Sequence, residues 1–263
     1  MRIKAKKSLG QNFLVDKNII EKIVDIGNIS ENDSVLEIGP GSGNLTEYII
    51  KKNPKKIFVI EKDFQLSNIL RDKFKDRIFV FNKDVLKISE ELICNDRLIV
   101  FGNLPYNIST QILSKWILNN SKNVWFKSFI LMFQKEVANR IIAQPNSKDY
   151  SRLTILTNWR LDVEKIMDIS ASCFYPKPKI QSTLLKFTPK KNFYNFNNSK
   201  NLEKITKVFF SQRRKKIKQP MKNLFKKPDE ISKLLNIDIN LRPENLSFND
   251  YYFITKEYEN SIS

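Results

Sequence analysis

The chain has 263 residues, 41% hydrophobic and 28% charged, enough for one large domain plus a small one around a sizeable core. It contains no histidine, and its two cysteines, Cys94 and Cys173, lie far apart and outside any CxxC pattern. This excludes imidazole catalysis, a disulfide framework and a cysteine zinc site, and no metal is expected.

The basic start, residues 1–7, has no apolar stretch behind it, and no run approaches the roughly 18 residues of a membrane span. A cytoplasmic protein with no membrane partner is expected. Residues 16–26 carry Ile19, Ile20, Ile23 and Val24 at helical spacing, with Gly27 as the stop. Strand-like runs follow at 34–38, 57–61, 78–82, 98–101 and 129–133. Between them lie amphipathic stretches such as 66–74 and 110–118. Such alternation implies an α/β fold with a parallel sheet covered by helices. Two more β-rich runs, 163–169 and 182–187, flank Phe174-Tyr175-Pro176-Lys177-Pro178, which cannot be helical. After Thr188-Pro189-Lys190-Lys191 the composition turns polar and strand-poor. Leu202, Ile205, Val208 and Phe209 then have helical spacing, and Ser247-Phe248-Asn249-Asp250 reads as a capping box. Two domains are expected: residues 1–190, and a small helical domain over residues 191–263.

The formal charge of +18 suggests a polyanionic partner, but 36 of the 46 cations are Lys in an Asn- and Ile-rich chain, so clustering says more than the total. Residues 211–227 hold eight cations and no acid: Arg213, Arg214, Lys215, Lys216, Lys218, Lys222, Lys226 and Lys227. They form either an RNA-binding surface or a solvated helix face.

Chemistry concentrates at strand ends. Asn103-Leu104-Pro105-Tyr106 follows a buried strand. Such a turn suits methyl transfer to an exocyclic amine, whose lone pair is delocalised into its ring. The Asn103 side-chain oxygen and a backbone carbonyl, most simply that of Leu104, would draw the nitrogen toward a tetrahedral geometry. Pro105 fixes a dihedral and offers no competing N–H. Tyr106 can stack on a base at roughly 1–3 kcal/mol. An ordinary strand-to-helix loop would read the same way.

Glycine is scarce, yet Gly39, Gly41 and Gly43 fall within five positions after Glu37. The dinucleotide pattern GxGxxG fails here. GxGxG with a preceding acid fits S-adenosylmethionine better, because that ligand has no pyrophosphate to dock on a helix N-terminus. Polar acceptors stand at or just past four successive strand ends: Glu37, Glu61, Asp84 and Asn103. Glu61, 18 residues after Gly43, is placed to grip ribose hydroxyls, and Asp84 to accept from the cofactor's adenine amine. Each taken alone could be a helix N-cap.

With these motifs, and with Leu9-Gly10-Gln11-Asn12-Phe13-Leu14, Phe174-x-Pro176-x-Pro178-x-Ile180-x-Ser182, Gln212-Arg213-Arg214-Lys215 and Arg242-Pro243-Glu244-Asn245-Leu246-Ser247, nearly the whole chain resembles the ribosomal-RNA adenine dimethyltransferases of the kasugamycin-resistance family. The resemblance implies a Rossmann-like, seven-stranded S-adenosylmethionine methyltransferase domain and an all-helical C-terminal domain. It implies N6,N6-dimethylation of two adjacent adenines, twice each, in a hairpin loop near the 3′ end of small-subunit rRNA; an assembling ribosomal particle is the expected partner and a monomer the expected state. It also implies a cofactor site lined by Gln11, Asn12, Leu14, Gly39, Glu61, Asp84 and Asn103. Phe174 would face Tyr106 across a flipped base, the alternative being a core aromatic. The sister family acting on large-subunit rRNA shares the Asn103–Thr110 motif, but the Leu9–Leu14 start and the Gln212–Lys215 segment favour the small-subunit reading. A non-catalytic RNA-binding protein on this fold would need neither the glycine turn nor Asn103.

Overall fold

A computed structural model describes residues 5–6, 9–119 and 124–262, so most of the basic start lies outside the described residues. The strands are β1 (Phe13–Leu14), β2 (Ser34–Ile38), β3 (Lys56–Ile60), β4 (Phe79–Phe81), β5 (Leu98–Asn103), β6 (Phe126–Gln134), β7 (Leu161–Ile169), β8 (Phe174–Tyr175) and β9 (Ser182–Pro189). The helices are α1 (Lys17–Ile26), α2 (Asn44–Lys51), α3 (Phe64–Phe74), α4 (Ser109–Leu118), α5 (Lys135–Ile142), α6 (Arg152–Arg160), α7 (Ser199–Phe210), α8 (Lys218–Leu224), α9 (Pro228–Leu235) and α10 (Phe248–Ile262).

The sequence pattern places α1, α3, α4 and the strands β2 to β7 and β9 within a few residues, and local chemistry explains the starts of α1 and α10. Asp16 caps α1 by accepting from the Ile19 amide at 3.0 Å. Ser247 and Asp250 form the expected reciprocal box before α10, the Ser247 amide donating to the Asp250 carboxylate and the Asp250 amide to the Ser247 hydroxyl.

Seven strands form one sheet in the order β4-β3-β2-β5-β6-β9-β7. β4, β3, β2, β5 and β6 run parallel, whereas β9 pairs antiparallel with β6. The sheet is therefore mixed rather than wholly parallel, making this a Rossmann-like methyltransferase fold. One sheet face carries Val35, Ile57, Val59, Ile99, Phe101, Ile130, Met132 and Leu184, packed with Ile20, Ile23 and Val24 of α1, Leu45 and Ile49 of α2, and Leu70 and Phe74 of α3. The chain leaves β2 toward β3 and β4, then returns to β5 on the other side. This reversal opens a crevice at the carboxyl ends of β2, β3 and β5.

The chain divides into two compact units. One contains Met1–Leu113, Lys122–Ala138 and Val163–Pro189; the other contains Ser114–Ser121, Asn139–Asp162 and Lys190–Ser263. The helical unit thus draws in residues 114–121 and 139–162 as well as the segment after 190. Within it the Trp159 indole donates to the Tyr194 carbonyl at 2.7 Å, and the Tyr252 hydroxyl to the Ile155 carbonyl at 3.3 Å.

Candidate active site

A cleft at the carboxyl ends of the parallel strands brings together Gln11, Asn12, Leu14, Glu37, Gly39, Gly41, Glu61, Asp84, Asn103, Leu104, Pro105 and Tyr106. Two expected members lie elsewhere. Gly43 begins α2 with φ +78°, and a Cβ added there would come within 2.6 Å of the Phe74 ring, so this glycine serves close packing of helix on helix. Phe174 is 3% exposed in the apolar core and does not line the cleft.

The glycine turn holds Gly41 at φ +59°, and a Cβ there would collide with the Phe13 ring at 2.7 Å. Phe13 itself lines the cleft, so only a bare α-carbon lets the turn and the segment before α1 share that wall. Glu61, 6% exposed at the end of β3, accepts from the Gly41 amide at 3.2 Å and the Asp63 amide at 2.8 Å. Among the described residues no cation pairs with it, and burial raises its pKa. Asp84 differs. Its carboxylate accepts from Lys62 at 2.9 Å and from the Leu86 amide at 3.0 Å, and Lys62 lowers its pKa. It caps a short 3₁₀ turn and also lines the cleft.

Glu37, 2% exposed, accepts from the Thr46 hydroxyl at 2.6 Å, and burial pushes its pKa up to about 8. It is therefore protonated at neutral pH. Its ordinary value, which the unfolded chain regains, is 4.5. A raised folded value favours the fold below the unfolded value, and that advantage is lost as pH rises through about 8. Glu37→Gln should flatten the fall in stability between pH 5 and 8, since an amide still accepts from Thr46 and never ionises. Urea unfolding across that range checks it; parallel curves for both proteins would refute it.

The Asn103 end of the cleft is set by one contact between distant parts of the chain. The Asn103 Nδ2 donates to the Asn12 carbonyl at 2.7 Å. A backbone carbonyl only accepts, so this bond fixes the amide orientation and leaves Oδ1 as the outward acceptor. Asn12 belongs to a segment clasped at Asp63, which Lys6 pairs at 2.9 Å and Gln11 bonds at 3.3 Å. Lys6, Lys62 and Asp63 carry no periodic or motif signal of their own, and sequence reasoning passed over them. The Tyr106 hydroxyl shares a hydrogen bond with Ser182 at 2.7 Å, and burial raises its pKa. The carbonyls of Pro105 and Tyr106 are taken up at the start of α4, by the Ile108 and Ser109 amides and the Ser109 hydroxyl.

In the helical unit the basic segment is not uniform. Arg214, Lys215, Lys216, Lys218 and Lys222 are exposed. Lys216 also donates to the Asn240 side chain at 3.0 Å. Arg213 is tied down, pairing Glu244 at 3.0 Å and donating to the carbonyls of Ser147 and Lys148.

Residues 2–260 match the family model described as ribosomal RNA adenine dimethylase. The chain belongs to the ribosomal RNA adenine dimethylase family. Among relatives, the ribosomal RNA small subunit methyltransferase A of Pelagibacter ubique is 57% identical over 98% of both chains, and that of Ehrlichia ruminantium 46% identical over 95% of both. A dimethyladenosine transferase from Plasmodium falciparum superposes with a TM-score of 0.82 at 26% identity, covering 95% of this chain and 98% of that one. A 23S rRNA methyltransferase, ErmE, shares the fold with a TM-score of 0.69 at 20% identity, covering 94% and 99%. Membership of this family makes the chain an enzyme, an rRNA adenine dimethyltransferase.

Proposed function

We propose that this chain dimethylates N6 of two adjacent adenines in the 3′-terminal hairpin loop of small-subunit rRNA, as a cytoplasmic monomer acting on an assembling particle. The observation that carries this reading is the Asn12–Asn103 contact, which aims an amide oxygen outward at the end of a buried strand. The two small-subunit methyltransferases reported above, 57% and 46% identical, support the small subunit over the large.

The cleft suits S-adenosylmethionine by its donor set: Glu61 is a buried carboxylate with backbone partners only, fit for vicinal hydroxyls, and the turn at Gly39 and Gly41 keeps side chains out of the wall. When bound, this cofactor supplies an electrophilic methyl group on a sulfonium. The chain's own residues do the rest. Glu61 and Asp84 would hold the ligand's polar groups, and Gln11, Asn12 and Leu14, which line the same cleft, would enclose it. Asn103 Oδ1 and the Leu104 carbonyl accept from the target amine, concentrating its lone pair away from the ring. Pro105 keeps that turn rigid, and Tyr106, braced by Ser182, offers a face for the flipped base. Phe174 would complete a sandwich only by leaving the core. The proton released as the N–C bond forms passes to water, since the chain has no histidine to take it. Dimethyladenosine measured by mass spectrometry on purified small-subunit particles, against naked large-subunit rRNA, tests the assignment; equal modification of both would overturn it.

Docking is assigned to the exposed cations, because one base pocket offers little area and phosphate contacts position without specifying sequence. Replacing Arg214, Lys215 and Lys218 together with Gln should weaken particle binding and flatten its salt dependence, by up to about one unit of log–log slope per lost phosphate contact. An unchanged slope would count against this surface. Arg213→Gln is a poor probe of docking, since it removes internal bonds of the helical unit.

A further inference from the structure

Beside the cleft lies a second cavity, open to solvent, of about 420 Å³, lined by Gly10, Asn12, Tyr106, Asn107 and Gln134. Its size falls within the roughly 300–1,000 Å³ of small-ligand pockets. Gln134 is not among the residues lining the first cleft. It carries none of the motifs that mark the other site residues.

Gln134 ends β6. In the ladder β5 sets Asn103 beside Met132, and side chains two residues apart on a strand share a face, so Gln134 faces the same side as Asn103. Across the antiparallel ladder Gln134 sits opposite Ser182, whose hydroxyl holds Tyr106. An amide acceptor, a braced aromatic ring and a second amide therefore stand along one sheet face at its active end. The Gln134 side chain makes no hydrogen bond with the described residues. A half-buried amide left without partners beside a cavity is poised to bond what enters it.

We propose that Gln134 selects the target base by donating its Nε2–H to the ring nitrogen that flanks the exocyclic amine, while Asn103 holds that amine. The inference rests on the methyltransfer reading given above. Adenine presents an amino donor beside a ring-nitrogen acceptor on both its Watson–Crick and Hoogsteen edges, and a Gln amide complements that pairing. Guanine offers its O6 where Asn103 also brings an oxygen, so two acceptors would face each other. Asn103 alone requires an amine; Gln134 adds the demand for a neighbouring lone pair.

The test uses small-subunit particles carrying 1-deazaadenosine or 7-deazaadenosine at the two target positions, with the wild type, Gln134→Leu and Gln134→Glu. The wild type should lose about tenfold in kcat/KM on one analogue and little on the other, the loss of a single hydrogen bond. Gln134→Leu should lose about as much on adenine and show no further penalty on that analogue. Gln134→Glu should fall below the leucine variant on adenine, since a carboxylate would oppose the ring lone pair. Affinity for the methyl donor should stay at the wild-type value in both variants. A wild type indifferent to both analogues, or a leucine variant that keeps the analogue penalty, overturns the assignment. If the wild type leaves unmodified particles unmethylated, the methyltransfer reading itself fails and this inference with it.

Discussion

Asn103→Ala is expected to cut methyl transfer by about a hundred- to a thousandfold, the scale seen when one placed polar contact at a reacting centre is removed. The effect should fall on the chemical step, measured as single-turnover methyl incorporation with saturating particles. Asn103→Asp should do no better despite its similar shape. Its carboxylate would meet the Asn12 carbonyl, an acceptor 2.7 Å from the present amide nitrogen, and the two oxygens would repel. Aspartate therefore keeps an acceptor oxygen but loses the tie that aims it. Turnover within about fivefold of wild type in either variant would remove Asn103 from the mechanism.

The second large effect is expected at Glu61. Both carboxylate oxygens already accept a backbone N–H, one from the glycine turn and one from Asp63. Each oxygen keeps a further lone pair for a ligand hydroxyl. Glu61→Gln keeps the shape but turns an NH₂ toward one of those amides. Hydrogen bonds to charged groups contribute roughly 1.5–3 kcal/mol, so methyl-donor affinity should weaken by about 10- to 100-fold. Particle binding should be unchanged. Calorimetry with the donor alone decides the matter, and an unaltered dissociation constant would show that Glu61 only braces the turn.

Much of the first unit is legible in the chain because its strands are continuous apolar runs punctuated by scarce glycines. The burial of all five positions of β2 is what a strand covered on both faces requires. Other elements leave little trace. β1 and β8 pair over two residues each, too short for any alternation. In α6, Thr154, Ile155, Leu156, Thr157 and Trp159 are all buried, so the helix has no polar stripe and its period vanishes. The acceptors at the strand ends are readable, because sheet topology gathers such positions. The Asn12–Asn103 tie spans 91 residues, and no local pattern encodes it. Nor does the sequence distinguish Arg213, bound internally, from its neighbour Arg214.

The interleaving of the two compact units bears on the order of synthesis. A chain emerging from its amino end lays down α6 before Tyr194 and Tyr252, the residues to which its Trp159 and Ile155 bond, have been made. The sheet's own contribution from Val163–Pro189 arrives later than those helical segments. The sheet unit has all its segments once Pro189 is made, while the helical unit still lacks α7 to α10. Each unit draws on residues made after the other has begun, and the last pieces of the helical unit are α7 to α10. A fragment released before residue 211 therefore lacks the whole basic segment 211–227, to which docking is assigned above.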